Sequence, residues 1–227
     1  PILRMNPDEG LWGRAGSSPI LFGTDGWRAL IAKDFTFDNV ARVLQAYAAV
    51  LTAAKPESGK ADKNKLIPIG YDRRFLSPEF AHKAASVLAS NGFKVKLAQS
   101  FCPTPTISCL VKEEGAPGGV VITASHNPYS WNGIKFKDGY GSSASPVFTA
   151  EVEKQIQSLG PVPPRTQPVE EFIKDGLVVL FDPRPAYLRA LRNQVDVPKI
   201  LHAKWKIAYD SLFGAGSSYL SAVLEGH

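Results

Sequence analysis

Apolar residues recur with two different periods along the chain. After Asp38, which is placed to cap a helix, they are spaced by three and four positions and so lie on one helical face: Val40, Val43, Leu44, Tyr47 and Leu51. Shorter apolar runs are bounded by turn residues or alternate with polar positions, which predicts strands at 66–71, 93–98 and 118–123.

Helical segments separate the predicted strands. One is predicted from Ser77, as its N-cap, through Pro78 at the first helical position to Gly92 just past its end. Further helical patterns cover about 106–114 and 149–159. Strands that alternate with helices are typical of βαβ units, so the sequence predicts an α/β fold with a mainly parallel sheet.

The proline-rich stretch 159–168 predicts a linker. We assign residues 1–168 to a first domain and residues 169–227 to the incomplete start of a second α/β domain. That second unit is expected to hold a helix, a strand and a glycine turn opening another helix, at 185–195, 204–211 and 214–226. Because the chain begins with Pro1 and stops within a helical pattern, we expect a processed or truncated chain.

The composition excludes several classes of protein. Hydrophobic residues make up 44% and charged residues 21% of the 227 positions, as in a globular protein with a core. The sequence has a net charge of +5 and no block of five or six like charges that would mark a nucleic-acid arm, so the basic excess fits small anionic ligands at least as well. Cys102 and Cys109 lack the spacing of a disulfide framework or zinc site. With no signal-peptide or membrane-spanning pattern, a cytoplasmic protein without nucleic-acid or membrane partners is expected.

Polar residues collect where the predicted strands end. In open parallel sheets, ligands bind beyond the carboxyl ends of the strands. Three groups would converge there, one after each of two strands and one in a glycine-containing stretch near the N-terminus: Ser125, His126 and Asn127; Asp72, Arg73 and Arg74; Thr24, Asp25 and Arg28.

These residue types together indicate phosphate chemistry. A guanidinium matches phosphate oxygens and stays charged at any working pH, and Lys135 supplies an amine for proton transfer. Pro128 stiffens the loop that follows Ser125. Each feature has an ordinary explanation when taken alone, since serine is a common turn former and adjacent arginines are usually solvated. Only their combination favours a site.

Four segments, in this order, resemble the α-D-phosphohexomutase family: FGTDGWRA (22–29), GYDRRFLS (70–77), CPTPTIS (102–108) and TASHNPYSWNGIKF (123–136). The Ser-His-Asn-Pro signature in the last segment is specific. The chain is similar to the N-terminal part of a phosphoglucomutase or phosphomannomutase. This resemblance implies that family's first domain, a mixed, mainly parallel sheet with helices on both faces.

The resemblance also implies a reaction. Hexose 1-phosphate and hexose 6-phosphate would be interconverted through a phosphoserine and a bound hexose 1,6-bisphosphate, with Mg²⁺ as cofactor and glucose 1,6-bisphosphate as activator. The residues it implies are catalytic Ser125, His126, Lys135 and Arg28; substrate or phosphate ligands Thr24, Asn127 and Arg74; and Ser125 as metal ligand through its phosphate. Because it contains Trp27, the first segment resembles that of glucose and mannose mutases more than that of glucosamine mutases.

The sequence departs from the family's pattern in one respect. It contains no Asp-x-Asp-x-Asp stretch, so the aspartate ligands that the resemblance implies for Mg²⁺ are absent. We therefore expect this chain alone to fold its first domain and to be inactive, or nearly so, as a mutase.

Two other functions stay open. A serine hydrolase would need a distant histidine, either His82 or His202, and the chain lacks the Gly-x-Ser-x-Gly elbow. A sugar-phosphate-binding or regulatory fragment would bind hexose phosphate without transferring phosphate.

Overall fold

A six-stranded mixed sheet forms the centre of the fold. The computed structural model describes residues 19–23, 25–53 and 65–224. In chain order the strands are β1 (Trp27–Leu30), β2 (Leu66–Tyr71), β3 (Lys94–Ala98), β4 (Gly118–Ile122), β5 (Trp131–Asp138) and β6 (Val178–Phe181). Across the sheet they lie in the order β1, β5, β4, β2, β3, β6.

The sheet is mainly parallel, as predicted. Strands β4, β2, β3 and β6 run parallel to one another. Strand β5 is antiparallel to both of its neighbours, β4 and β1. Because β2 and β4 are adjacent and parallel, the residues after them leave the sheet at the same edge, where the N–H of Asp72 donates to the carbonyl of Ile122 at 3.0 Å.

Helices cover both faces of the sheet. They are α1 (Phe37–Ala53), α2 (Ser77–Ser90), α3 (Thr104–Glu114), α4 (Pro146–Leu159), α5 (Val169–Lys174), α6 (Arg184–Gln194), α7 (Val197–His202) and α8 (Tyr219–Leu224). Along β4, Val120 and Ile122 pack into the core that contains α1 and α2, whereas Val121 packs into the smaller core that contains α3. Because successive side chains of a strand point to opposite faces of the sheet, β4 contributes to the cores on both faces. The predicted fold class is confirmed.

Helix α2 begins differently from the prediction. Ser77 is the first helical residue instead of the N-cap, and Leu76 takes the cap position in a left-handed conformation, with φ of 61°. The Ser77 hydroxyl donates to Asp72 Oδ1 at 2.7 Å and does not cap the helix. The sequence could not show this competing acceptor, although it placed the helix end at Gly92 correctly.

The sheet continues past residue 168, where the sequence analysis placed the domain boundary. Helix α5 packs on α2, and β6 pairs in parallel with β3, so the stretch 169–181 completes the first sheet. From 182 to 224 the described elements are helical. The strand predicted at 204–211 is wrong, because no strand forms there and no neighbouring strand is available within the described residues.

The sequence also predicted that no segment spans a membrane. Of the helices within the described ranges, none combines the length and the apolarity needed to cross a bilayer.

Candidate active site

The loop that joins β4 to β5, residues 123–130, presents Ser125 to solvent at the carboxyl edge of the sheet. The N–H of Ser125 donates to Thr123 Oγ1 at 3.0 Å, and the N–H of Asn127 donates to the carbonyl of Ala124 at 3.1 Å. These two bonds make a tight turn centred on Ser125. We call residues 123–130 the serine loop.

Ser125 has a left-handed backbone, with φ of 59°. A side chain in this region is crowded by the following carbonyl, and such residues cluster at functional sites where the surrounding structure holds them. The turn leaves the Ser125 hydroxyl outside the sheet and accessible. That exposure is what a nucleophile or a phosphoryl carrier requires.

His126 follows Ser125 directly, but no short hydrogen bond holds its imidazole against the serine hydroxyl. Its Nδ1 is 3.5 Å from Ser125 Oγ, at the outer limit of a hydrogen bond, and both residues are exposed. Among the described residues, the hydrogen bonds of Ser125 involve neither distant histidine, His82 or His202, and His202 Nδ1 instead contacts the carbonyl of Pro198. The described contacts therefore do not support a serine hydrolase.

Strand β1 brings Arg28 to the serine loop. Arg28 Nη1 donates to Asn127 Oδ1 at 2.9 Å. The close approach depends on small residues, because a Cβ on Gly133 would lie 2.7 Å from the carbonyl oxygen of Trp27. The N-terminal segment and the serine signature, which are far apart in sequence, thus meet as predicted. Thr24, which was also predicted to bind substrate or phosphate, lies outside the described residues.

Lys135 is buried on β5 and forms an ion pair with Asp25. Ser143 Oγ also donates to Asp25, at 3.1 Å. Burial opposes ionisation of Asp25, but the hydrogen bonds and positive charges of Lys135, Ser143 and Lys137 outweigh it, so the pKa of Asp25 falls below its ordinary value of 3.8. Asp25, which the sequence predicted to orient a neighbouring arginine, therefore orients a lysine instead.

Lys137 was missed by the sequence analysis. It is 8% exposed and follows Lys135 on the same face of β5, as the alternation in Gly-Ile-Lys-Phe-Lys could have indicated. Burial is the main cause that lowers its pKa, and no described side chain hydrogen-bonds to its amine. Asp25 therefore interacts electrostatically with two buried lysines on β5, Lys135 and Lys137.

The two arginines after β2 have different surroundings. Arg73 lies over the ring of Phe101, 4.4 Å from the ring centroid. The Arg74 guanidinium instead lies against the serine loop and donates to backbone carbonyls, including those of Ser125 at 3.0 Å and Asn127 at 2.6 Å. The sequence placed Arg74 at the site, and the contacts show it bound to the loop backbone.

A metal site is not apparent in this part of the chain. Among the described residues, no group of three or more His, Cys, Asp and Glu side chains is arranged to hold a metal ion. The Ser125 oxygen is accessible, but Asp25 and Asp72 are each engaged by a neighbouring cation. The residues present here do not by themselves fit a magnesium centre.

The fold and the site define an α/β domain whose polar residues converge at the carboxyl ends of parallel strands. A family model described as phosphoglucomutase/phosphomannomutase, alpha/beta/alpha domain I, matches residues 19–161. The chain belongs to this family.

Related proteins carry several names. A phosphoglucomutase from Staphylococcus haemolyticus is 35% identical over 170 residues, which cover 72% of this chain and 30% of that protein. A phosphoglucosamine mutase from Corynebacterium glutamicum is 33% identical over 197 residues, covering 87% of this chain and 42% of its own length. Relatives that act on different sugars by name are thus similar to this chain at nearly equal identity.

Solved structures agree with the fold. The crystal structure of a protein assigned as a phosphomannomutase in Thermus thermophilus matches with a TM-score of 0.77 at 35% identity, over 92% of this chain and 44% of that one. The open form of pp63/parafusin from Paramecium matches with a TM-score of 0.72 over 92% of this chain and 41% of that one, and at 19% identity shows the fold alone. This chain spans less than half the length of these relatives.

Proposed function

We propose that this chain is the serine-bearing part of a phosphosugar mutase that interconverts hexose 1-phosphate and hexose 6-phosphate. The observation that carries the proposal is Ser125 itself, exposed in a left-handed turn at the carboxyl end of β4, with Arg28 reaching the same loop. Family membership is consistent with that chemistry. Glucose is the proposed sugar, with mannose as the alternative.

In the proposed reaction, phosphorylated Ser125 transfers its phosphoryl group to a free hydroxyl of the hexose phosphate. The bond between Ser125 Oγ and phosphorus breaks as a bond between phosphorus and the sugar oxygen forms. The hydroxyl releases one proton and the serine oxygen takes up one proton, so the transfer is neutral overall. The second transfer runs in reverse, from the other phosphate of the bisphosphate back to Ser125.

The side chains at the site support separate parts of this reaction. Phosphoryl transfer asks a protein mainly for positioning and charge stabilisation. Arg28 and Asn127, which are hydrogen-bonded to each other, are proposed to bind phosphate beside Ser125. Lys135, which Asp25 pairs as an ammonium ion, is proposed to donate the proton that the departing serine oxygen requires. His126 is proposed to contact the phosphoryl group from the solvent side.

Mg²⁺ and glucose 1,6-bisphosphate enter this proposal from the resemblance alone. Bound Mg²⁺ would neutralise charge on the transferring phosphoryl group. Its carboxylate ligands would have to come from outside the described residues, and no step above depends on the ion.

Phosphate uptake by Ser125 tests the proposal. Intact mass and peptide mapping would be compared for the wild-type chain and Ser125→Ala, before and after incubation with glucose 1,6-bisphosphate and Mg²⁺. We expect a phosphate on the peptide that contains Ser125 in the wild type and none in the variant. Phosphate on another residue, or equal labelling of both proteins, would overturn the role of Ser125.

The alternative function is that of a sugar-phosphate-binding or regulatory fragment, which would use the Arg28 and Asn127 side chains beside Ser125 to bind phosphate without transferring it. Calorimetric titration with glucose 1-phosphate separates the two, since such a fragment would bind the sugar phosphate while Ser125 stayed unmodified.

A further inference from the structure

The Arg74 side chain hydrogen-bonds to backbone carbonyl groups in and next to the serine loop. Nη1 donates to the carbonyl of Pro128 at 2.7 Å and to that of Trp131, the first residue of β5, at 3.0 Å. Nη2 donates to the carbonyl of Ser125 at 3.0 Å and to that of Asn127 at 2.6 Å. One side chain therefore holds backbone on both sides of the loop's exposed tip.

Asp72 binds both the guanidinium and the backbone of Arg74. Arg74 Nε lies 3.2 Å from Asp72 Oδ2, and the backbone N–H of Arg74 donates to Asp72 Oδ1 at 2.9 Å. The Ser77 hydroxyl also donates to Asp72 Oδ1, and Asn132 Nδ2 donates to Ser77 Oγ at 2.9 Å. This network runs from the end of β2 through the start of α2 to β5, so it joins the loop to three rigid elements.

The contacts use the whole guanidinium group. An arginine side chain carries five N–H donors in a fixed planar fork. Here Nε faces a carboxylate oxygen, and the two terminal nitrogens donate to four carbonyl oxygens. A phosphate could be bound by Arg74 only if some of these bonds were broken.

We infer that Arg74 is a positioning residue that holds Ser125 in its exposed, left-handed conformation and does not itself bind phosphate. A strained residue persists only where its surroundings fix it, and the carbonyl of Ser125 is one of the four that Arg74 holds. This role differs from the phosphate-binding role predicted for Arg74 from the family resemblance. Its catalytic consequence rests on the proposed function, whereas its structural consequence does not.

Hydrogen exchange followed by mass spectrometry tests the structural consequence in the 227-residue chain. Arg74→Lys keeps the charge but loses the fork, Arg74→Gln loses both, and Arg73→Lys is the matched control because Arg73 contacts a ring and not the loop. We expect peptides covering 123–134 to exchange about tenfold faster or more in both Arg74 variants, since bonds to a charged donor restrain the loop. Arg73→Lys should exchange like the wild type.

Peptides from α1 serve as the folding control and should exchange at the wild-type rate in every variant. If the Arg74 variants do not fold, Ser77→Ala replaces them, because it removes one bond to Asp72 and leaves the ion pair in place. It should loosen the same peptides to a smaller extent. Wild-type exchange of the loop in these variants would overturn the positioning role.

Phosphate uptake from glucose 1,6-bisphosphate tests the catalytic consequence. If Arg74 only positions the loop, Arg74→Lys should lower the maximal rate of Ser125 phosphorylation about tenfold or more while the half-saturating bisphosphate concentration stays unchanged. A raised half-saturating concentration with normal loop exchange would show instead that Arg74 binds phosphate. If the wild type takes up no phosphate, the proposed function fails for this chain, and the exchange rates still decide the role of Arg74.

Discussion

At the scale of single residues, the backbone of Ser125 is the most informative feature of the site. Left-handed φ is uncommon in proteins at residues other than glycine, and here it coincides with the exposed serine of the family signature. Two substitutions separate the strain in the backbone from the chemistry of the hydroxyl group, because alanine keeps the Cβ and glycine removes it.

We expect Ser125→Gly to be more stable than Ser125→Ala by roughly 0.5–1 kcal/mol, the penalty of a Cβ in the left-handed region less the extra entropy of unfolded glycine. Urea denaturation of both variants measures the difference. The same comparison of alanine with glycine at Lys154, an exposed position in the interior of α4, is the control. There the order should reverse, with glycine less stable by about 1 kcal/mol. Equal stability of the two Ser125 variants would contradict the left-handed conformation.

The ion pair between Asp25 and Lys135 gives a pH-dependent prediction. Asp25→Asn leaves a buried lysine without its carboxylate, and we expect a loss of about 1–2 kcal/mol near neutral pH, less than for a fully buried pair because Asp25 is partly exposed. The folded chain lowers the pKa of Asp25 from 3.8, so the stabilisation is present above that pH and is lost as the pH falls through the lowered value.

Urea midpoints of wild type and Asp25→Asn, measured from neutral pH down to acid, follow this dependence. The gap between the two proteins should be largest near neutral pH and should shrink on acidification. Glu151→Gln removes an exposed ion pair with Lys154 and should show little difference at any pH. A gap that widens in acid would refute the assignment.

Sequence reasoning located the site residues better than it assigned their contacts. It placed Ser125, Arg28 and Asn127 together, and the structure joins Arg28 to Asn127. Asp72, which belongs to the same predicted group as Arg74, pairs with it. It did not foresee that the Arg74 side chain turns toward the loop carbonyls, since the direction of a side chain depends on acceptors that are distant in sequence.

At the scale of elements, close contact between β2 and α3 depends on Gly70. A Cβ at this position would lie 2.7 Å from both Cys102 Sγ and Ile107 Cγ1. We expect Gly70→Ala to cost about 1–3 kcal/mol because these buried atoms must move apart. Gly139→Ala is the control, since a Cβ there would find only ordinary contacts, and it should change stability by less than about 0.5 kcal/mol. Denaturation midpoints of both variants measure these changes in stability.

The elements differ in how well the sequence predicted them. Strand β2 and helix α2 were predicted closely because the apolar run and the Pro and Gly boundaries are local signals. Strands β1 and β6 were missed, since each has only four residues and is defined by a partner distant in the chain. Conversely, the alternation at 204–211 predicted a strand where the described residues offer no partner. Pairing, more than propensity, decides these cases.

At the scale of the whole molecule, the stretch 205–213 exposes a series of large apolar side chains. Leu212 is 80% exposed and Phe213 is 85% exposed, and Trp205, Ile207 and Tyr209 are also exposed. Single apolar residues on a surface need no explanation, but a contiguous series is typical of a contact surface.

We expect the double variant Leu212→Asn, Phe213→Asn to bind less of the dye ANS than the wild type, with stability changed by less than about 0.5 kcal/mol. Asparagine suits both positions, because their φ angles of 48° and 60° are left-handed. Dye fluorescence and urea denaturation measure the two quantities. Val162→Asn, at an exposed position outside this stretch, should leave the fluorescence unchanged. Unchanged fluorescence in the double variant would show that the dye binds elsewhere.

The pairing of β1 with β5 also sets an order of events during synthesis. In the described sheet, β1 is an edge strand whose neighbour is β5. The ribosome must therefore release most of the sheet before β1 can pair with β5. Contacts between distant parts of a chain form slowly because a long loop must close first. Arg28 leaves the ribosome early but cannot reach Asn127 until β5 is available. The contact between Arg28 and Asn127 beside Ser125 therefore forms only after the first five strands of the sheet have been made.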